Sequence, residues 1–514
     1  MITKRITSFL AGLAVLSLAV PADAAVRLPL GPGAEDRKTL ELTGEYRLQG
    51  SFLSDFAVDA EGTTIGQNKS LDQRLRFGLG LGGNNFTFAV EWDLFSGQIA
   101  GDLWNIPGSI DDRHRQKMGA ITADGFVPRR AAALFSGTWA SVEVGLVTSH
   151  WGLGMLANDG AHDPFFGRND FGDRVVRLRG TFKPLYARSE LHPARDGLML
   201  TVGADWVIDD EIASFSKHQL AFQGLASLIY ADAAGKRLGI YCVYRHQREL
   251  VEERQTNVLV VDAYGDLPVQ LWDTGWSARF ALEAAAILGT TDRSLSYEER
   301  SRLGIAQAGI TGIASLRGPD EKLQFHLRGG WASGDGQPDD EVLHDFSFDR
   351  DFDTGMVLFD QLQGGVAAAN HVLLSDPEHG GSPPDGVDAV VNEGAFHRGL
   401  FVQPIVQVSP LSWLDARVGV LVGVASTPVR HSFYSFRAGG TPRNHHNEEP
   451  GGSMLGAELN WAVRIGGPLP FGGDMAPRLE ALVQGGHLFL GDALAAEEGS
   501  EPIHHLLATG RVRW

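Results

Sequence analysis

The carboxyl-terminal segment of the chain alternates between apolar and polar side chains. One set of alternate positions is apolar: Leu506, Ala508, Gly510, Val512 and Trp514. The intervening set contains the polar residues His505, Thr509, Arg511 and Arg513. Because successive side chains of a β-strand point to opposite faces, this pattern predicts a strand with one apolar face and one polar face.

The same two-residue period recurs along most of the chain. In residues 71–81, for example, Leu75 and Phe77 share one face, and Arg74 and Arg76 share the other. The pattern predicts about 18 strands, with a range of 16 to 20. These strands are 40–52, 71–81, 86–94, 127–136, 139–150, 172–183, 196–206, 218–231, 236–247, 255–263, 275–287, 303–316, 322–333, 398–409, 413–425, 453–465, 477–490 and 502–514.

The connections between these segments differ in length according to their parity. Five long connections follow odd-numbered strands: 53–70, 95–126, 151–171, 334–397 and 426–452. Five short turns follow even-numbered strands, so the pattern places them at one end. Three further connections on that side, 184–195, 264–274 and 466–476, are longer than expected. A soluble sandwich or propeller has no reason to sort its loops in this way. The sequence therefore predicts an all-β fold, a transmembrane antiparallel β-barrel with short periplasmic turns and long extracellular loops.

The amino-terminal residues have the features of a secretory signal. Lys4 and Arg5 precede an apolar run, 6–20, and Ala22-Asp23-Ala24 forms an A-x-A cleavage site. We expect residues 1–24 to be a signal peptide. Residues 25–38 are then a periplasmic leader and 39–514 the barrel, whose segment 334–397 is an extracellular or lumen-folded loop. Export through the inner membrane would bring the protein to the outer membrane of a Gram-negative cell.

Composition excludes several other classes of protein. The formal net charge of −19 argues against a nucleic-acid binder. The single cysteine, Cys242, excludes an internal disulfide framework. Beyond residues 6–20, no apolar run approaches the roughly 20 residues that a membrane-spanning helix needs.

The polar faces of the predicted strands carry many charges of both signs. We expect these side chains to line the lumen, where two roles are open. They pair across neighbouring strands and hold the wall, or they create a transverse field that selects solutes. The predicted pore-lining residues are Arg74, Arg76, Glu91, Asp93, Arg177, Arg179, Arg279, Glu283, Arg328, Arg417, Glu458 and Arg464.

Two connections contain candidate constriction or metal-binding residues. Glycines beside Trp151 permit a tight inward fold, and this connection also holds Asp163, Arg168 and Asp170, which we expect to line a constriction. The segment 335–353 is rich in aspartate, and calcium or magnesium could bridge such carboxylates. Its spacing matches no EF-hand, and a solvated acidic surface is the favoured interpretation. No metal ion or cofactor is predicted.

Short motifs in these connections resemble a known group of proteins. They are Gly145-x-x-x-Ser149-His150-Trp151-Gly152-x-Gly154, Ser333-Gly334-Asp335 and Asp351-Phe352-Asp353-x-Gly355-Met356-Val357-Leu358-Phe359. They are similar to motifs of uncharacterised outer-membrane barrel proteins of the myxobacterial type, which are distantly similar to alginate-export porins. The resemblance implies an outer-membrane channel, with polysaccharide export as one variant. It implies no residue-level binding role.

Three function classes follow from these features. The favoured one is a porin-like channel for passive passage of small polar or anionic solutes. The alternative is a structural or adhesion-type barrel that its own loops plug. An enzyme is not predicted, because the adjacent Ser149 and His150 would point to opposite faces of a strand. The expected partners are outer-membrane lipid and small polar solutes, and nucleic acid is not among them. The last strand, which ends in Trp514, also resembles the signal that the barrel-assembly machinery reads, and this resemblance implies that machinery as a further partner.

Overall fold

The computed structural model describes residues 26–29, 39–106, 126–168, 172–185, 197–271, 275–295, 302–337, 340–470, 476–496 and 499–514. Within these residues 20 strands belong to one sheet. They are β1 Val26–Pro29, β2 Thr39–Leu53, β3 Lys69–Gly82, β4 Phe86–Gly101, β5 Val127–Ser136, β6 Ala140–Thr148, β7 Arg174–Phe182, β8 Leu198–Asp209, β9 Gln219–Ala231, β10 Arg237–Glu249, β11 Gln255–Leu271, β12 Trp276–Thr291, β13 Leu303–Arg317, β14 Leu323–Ala332, β15 Val342–Leu343, β16 Gly399–Leu411, β17 Leu414–Ala425, β18 Met454–Pro468, β19 Arg478–Leu490 and β20 Ile503–Arg513.

Eighteen of these strands close into an antiparallel barrel. Each pairs with its neighbour in chain order, and β14 pairs with β16. The barrel closes where β2 pairs with β20, in a register that runs from Glu45↔Arg513 to Leu53↔His505. Two hydrogen bonds between Gly44 and Trp514, at 2.8 and 2.9 Å, extend this closing seam. The predicted antiparallel β-barrel of 18 strands is confirmed.

The two faces of the barrel wall differ in polarity. Large apolar side chains are exposed on the outer face, among them Leu178, Ile240, Tyr244, Phe280 and Leu327. Charged side chains on the inner face are buried, among them Arg47, Arg177, Asp205, Glu283 and Glu458. An apolar outer belt around a polar interior is the arrangement that a barrel needs to be stable in a lipid bilayer.

Strand β11 is longer than the sequence predicted. The predicted strand ended at 263, before Gly265 and Pro268, whereas β11 continues to Leu271. Pro268 pairs with Arg279 of β12, but β10 begins at Arg237, opposite Asp266. Pro268 therefore lies beyond the end of β10 and its missing N–H removes no ladder hydrogen bond on that side. The prediction placed Pro268 in a connection, 264–274, and was wrong.

A few short elements lie outside the barrel wall. Strand β1 pairs with the start of β2, and β15 pairs in parallel with β13. A π-helical turn, Leu358–Gln363, leads into helix α1, Gly364–Ser375; the helices α2, Pro377–Gly380, and α3, Ser432–Arg437, follow. Among the described residues, no helix combines the length and the apolar character that crossing a membrane requires. The expected signal peptide, 1–24, lies outside the described residues.

Candidate functional site

Arginine–carboxylate pairs link adjacent strands along the inner wall. Arg76 of β3 holds Asp93 of β4 through two hydrogen bonds of 2.6 and 2.9 Å. Arg177 of β7 holds Asp205 of β8 in the same bidentate way, at 2.8 and 2.7 Å. Such two-point pairing fixes both side chains. Further cross-strand pairs are Arg74–Glu45 at 2.8 Å, Arg179–Glu143 at 2.7 Å, Arg279–Asp266 at 2.8 Å and Arg129–Glu91 at 3.1 Å.

The connection 149–173, between β6 and β7, leaves the wall and reaches two opposite sides of the lumen. On one side the Trp151 indole N–H donates to Asp262 of β11 at 2.9 Å, and the backbone N–H of Leu153 donates to Glu283 of β12. On the other side Asp163 pairs with Arg511 of β20 at 2.8 Å. Strand β11 lies nine places from β2 in the 18-strand ring, and β20 adjoins β2. We name 149–173 the crossing loop.

The crossing loop also makes ring contacts with two arginines of the wall. Phe165 lies under the guanidinium of Arg328, 5.5 Å from its central carbon. Phe166 faces Arg417 at 5.9 Å. An arginine over an aromatic face keeps most of its donors available while its charge is stabilised by the ring.

The long connection 333–398 also enters the lumen. Glu458 of β18, which is fully buried, accepts the backbone N–H groups of Met356, Val357 and Leu358, at 2.6, 3.1 and 2.8 Å. Arg328 donates to the carbonyl oxygen of Asp353 at 2.8 Å. One wall carboxylate and one wall arginine thus hold successive turns of this segment, which we name the long inner loop.

The crossing loop and the long inner loop touch each other. Gly167 has φ +84°, and a Cβ there would lie 2.2 Å from Asp353 Oδ2, so only glycine permits this approach. The backbone N–H of Gly172 donates to Asp351 at 2.6 Å. One apolar cluster joins the two loops; it includes Met155, Phe166, Phe348, Met356, Val357 and Leu358. The two loops therefore form one packed unit inside the barrel.

A cavity of about 350 Å³ lies between the crossing loop and the wall. Its lining has eight arginines and four carboxylates, so arginine dominates locally although the chain as a whole is acidic. The arginines are Arg47, Arg74, Arg76, Arg168, Arg417, Arg464, Arg511 and Arg513; the carboxylates are Glu45, Glu91, Asp163 and Glu480. A second cavity, of about 450 Å³, contains Asp320, Glu321 and Lys322 of a short turn and shares Arg464 and Arg513 with the first.

Two arginines of the first cavity form no ion pair within 4.0 Å among the described residues. These are Arg417 and Arg464, and both are partly exposed to the lumen. Other arginines of the first cavity form ion pairs with carboxylates of the protein. Arg511 and Arg513, for example, each pair with both Asp163 and Glu45. Arg417 and Arg464 therefore have guanidinium groups free to meet a solute that carries a carboxylate or phosphate.

The crossing loop also carries titratable groups. Asp163 keeps a pKa below its usual range: burial opposes ionisation, but Arg511 and Arg513 outweigh it. Nearby, His162 Nδ1 lies 3.3 Å and His150 Nδ1 3.6 Å from Asp159 Oδ1. The hydrogen bond to Asp159 raises the pKa of His162, whereas burial lowers the pKa of His150.

Two groups of described side chains bring possible metal-ligand atoms within 4.8 Å of one another. The first is His150, Asp159 and His162 of the crossing loop. The second is Asp173, Glu211 and Asp349, which come from three different connections. Among the described residues of the aspartate-rich segment 335–353, which exclude 338 and 339, no ligand set of this kind forms within the segment alone.

The predicted site residues fall into three groups. Those that line the first cavity are Arg74, Arg76, Glu91, Arg417, Arg464, Asp163 and Arg168. Those that pair with the wall or hold an inner loop elsewhere are Asp93, Arg177, Arg179, Arg279, Glu283, Arg328, Glu458 and Trp151. Asp170 lies outside the described residues.

Sequence reasoning missed Arg129. This residue is 1% exposed, pairs with Glu91 and donates to the carbonyl oxygen of Asp159 at 2.5 Å. It stands at a register shift, because Glu91 pairs with Arg130 and Trp92 with Pro128. The bulge turns both Arg129 and Arg130 towards carboxylates. The sequence did contain a signal of this bulge: Arg129 and Arg130 are consecutive charged residues in a strand that otherwise should alternate in polarity.

Comparison with known proteins gives fold-level similarity only. No protein-family model matches the chain, and no curated protein is similar to it in sequence. Among solved structures, OccK11 (OpdR) of Pseudomonas aeruginosa has a TM-score of 0.47 and 13% identity, covering 92% of this chain and 96% of its own. A BenF-like porin from Pseudomonas fluorescens has a TM-score of 0.47 and 8% identity, covering 92% and 98%. OccK2 (OpdF) of Pseudomonas aeruginosa, in complex with glucuronate, has a TM-score of 0.46 and 10% sequence identity. The match covers 92% of this chain and 98% of the OccK2 chain.

Proposed function

We propose that this barrel is an outer-membrane channel for small anionic solutes. The observation that carries the proposal is the first cavity, in which eight arginines face four carboxylates. Charged groups that line a narrow water-filled passage select solutes by charge and size. A volume of about 350 Å³ is in the range that holds a small molecule. The cavity gives no support to a polysaccharide-export role.

In this proposal Arg417 and Arg464 bind the solute and the crossing loop sets the size limit. Both arginines lack a carboxylate partner within 4.0 Å among the described residues, so an anionic solute would supply one. The loop is held at Asp262 and Glu283 on one wall and at Arg511 on the other. Fixed anchors on both sides keep the passage at a constant width, which favours selection by size.

The same geometry favours one competing function. The two inner loops share an apolar cluster and are hydrogen-bonded to each other. A barrel filled in this way is also what a structural or adhesion-type protein with a closed lumen requires. In either case, we propose that the exposed apolar belt contacts outer-membrane lipid and that the assembly machinery binds the last strand near Trp514.

The test is a reversal-potential measurement on the refolded protein in a planar bilayer under a salt gradient. We compare wild type with the double variant Arg417→Gln, Arg464→Gln. Arg248→Gln serves as the matched control, because Arg248 is exposed and lines neither cavity. The proposal expects anion preference in wild type and in the control, and a clear loss of it in the double variant. Equal selectivity in all three contradicts the role of these arginines.

A further inference from the structure

Three carboxylates from separate connections meet in the interior. Asp173 ends the crossing loop, Glu211 lies between β8 and β9, and Asp349 belongs to the long inner loop. One oxygen of each lies within 4.8 Å of the others. Asp173 is 7% exposed and Asp349 is 2% exposed. Like charges this close are costly in a medium of low dielectric constant, and either protonation or a bound cation lowers that cost.

The protein supplies too little positive charge for the cluster. Among the described residues, Arg350 is the one base that pairs with any of the three carboxylates, at 3.8 Å from Glu211. Its closest partner is Glu393, at 2.5 Å. The neighbouring Asp210 is occupied by Arg245 at 2.6 Å. Burial, together with the neighbouring carboxylates, raises the pKa values of Asp173 and Asp349 well above their usual range and that of Glu211 to about 7.

Asp173 gives a second indication of a missing ligand. The residue is 7% exposed, and its carboxylate forms no hydrogen bond or ion pair with any described residue, although one of its oxygens lies within 4.8 Å of Glu211 and Asp349. Buried polar groups without a partner are rare in native proteins, and an ion is one of the explanations. By contrast, Asp349 is oriented by the backbone N–H groups of Asn158 and Asp351, at 2.9 and 2.7 Å.

We propose that Asp173, Glu211 and Asp349 bind one calcium ion, which clamps the crossing loop and the long inner loop to the end of β8. Calcium accepts carboxylate oxygens at about 2.3–2.6 Å, so three oxygens spread evenly in a plane around one ion lie about 4.0–4.5 Å apart. The three oxygens of the cluster, each within 4.8 Å of the others, are close enough for small side-chain movements to bring them to such an ion. Magnesium binds at about 2.0–2.1 Å and demands a tighter octahedron. Water completes the coordination, and the clamp does not depend on whether the barrel conducts.

The test is isothermal titration calorimetry of the full barrel, refolded in detergent free of lipopolysaccharide and treated with EDTA. Calcium chloride is the titrant. We expect one calcium ion per chain in wild type. Asp173→Asn and Glu211→Gln keep the side-chain shapes and should each lower the affinity by at least about tenfold. Glu378→Gln, an exposed carboxylate of the long inner loop, is the matched control and should bind as wild type does.

Gel mobility before and after heating confirms that each variant is folded, so loss of binding is not loss of structure. Absence of binding to folded wild type at calcium concentrations up to about 10 mM, above the range of extracellular calcium modules, overturns the proposal. Wild-type affinity in Asp173→Asn and Glu211→Gln also overturns it. Equal or tighter binding of magnesium overturns the assignment to calcium.

Discussion

Asp163 and Arg511 join a loop that leaves the barrel wall to the strand that closes the barrel. Arg511 Nη1 lies 2.8 Å from one carboxylate oxygen of Asp163 and 2.9 Å from the other. Arg513 adds a contact of 3.0 Å to the same carboxylate. The ionised form of Asp163 therefore both holds the crossing loop in place and neutralises part of the positive charge of the cavity.

Replacing Asp163 with Asn tests this double role. We expect Asp163→Asn to increase anion preference and current fluctuations in single-channel recordings, because two arginines lose a counter-charge and the loop loses a tether. Glu378→Gln is the control, since Glu378 is exposed and lines neither cavity. Recordings of Asp163→Asn that match those of wild type would show that the contact has neither role.

Glu458 should determine the stability of the long inner loop. Glutamine at this position has the same shape as glutamate but carries no charge. It also replaces one acceptor oxygen with an amide NH2 donor, and that donor would face the backbone N–H groups of 356–358. Hydrogen bonds to a charged acceptor contribute about 1.5–3 kcal/mol. We expect Glu458→Gln to speed hydrogen exchange of these three amides by roughly 30-fold, the equivalent of about 2 kcal/mol. Exchange as slow as in wild type, measured by mass spectrometry, would rule out this role.

Gly44 should be required at the closing seam. A Cβ at this position would lie 2.2 Å from the Trp514 ring. We expect Gly44→Ala to lower the free energy of unfolding by about 1–3 kcal/mol, the usual cost of overpacking, in urea titrations followed by tryptophan fluorescence. Gly510→Ala is the matched control on β20, because a Cβ there meets nothing within 4 Å. If both variants unfold alike, the contact with Trp514 is not limiting.

His162 should make anion preference depend on pH. Its pKa is raised by Asp159, so His162 gains its proton as pH falls through a value above 6.5 and adds positive charge to the first cavity. Over the same range Asp159 and Asp163 stay ionised, because their pKa values are lowered, and His150 stays neutral. We expect anion preference to rise between about pH 8 and pH 6. The His162→Gln variant should lose this pH dependence of anion preference. The control His379→Gln, which replaces an exposed histidine, should retain it. Retention of the pH dependence in His162→Gln would show that His162 is not its source.

The strands were predictable because a two-faced wall imposes a two-residue period on the sequence. The predicted segment 127–136 coincides with β5, and 303–316 differs from β13 by one residue. The same period gave the inward direction of Arg74, Arg177 and Glu458. Exceptions occur where backbone geometry breaks the alternation, as at the bulge beside Arg129, or where neighbouring strand ends decide the outcome, as at Pro268.

The arrangement of the candidate site was less predictable. Composition and spacing suggested that the connections around Trp151 and Met356 fold inward, but their anchors, Asp262 and Glu458, lie more than 100 residues away. The carboxylate cluster likewise combines Asp173, Glu211 and Asp349, which no local pattern links. Such contacts depend on which strands face each other across the lumen, and a period along one strand does not contain that information.

We propose that the lumen of this barrel is open and prefers anions. The most direct test is the reversal potential of single channels formed by the refolded wild-type protein across a tenfold potassium chloride gradient. A steady conductance with a reversal potential of the sign set by chloride is the predicted result. Folded protein that gives no conductance, or a reversal potential of the sign set by potassium, would contradict an arginine-lined anion channel.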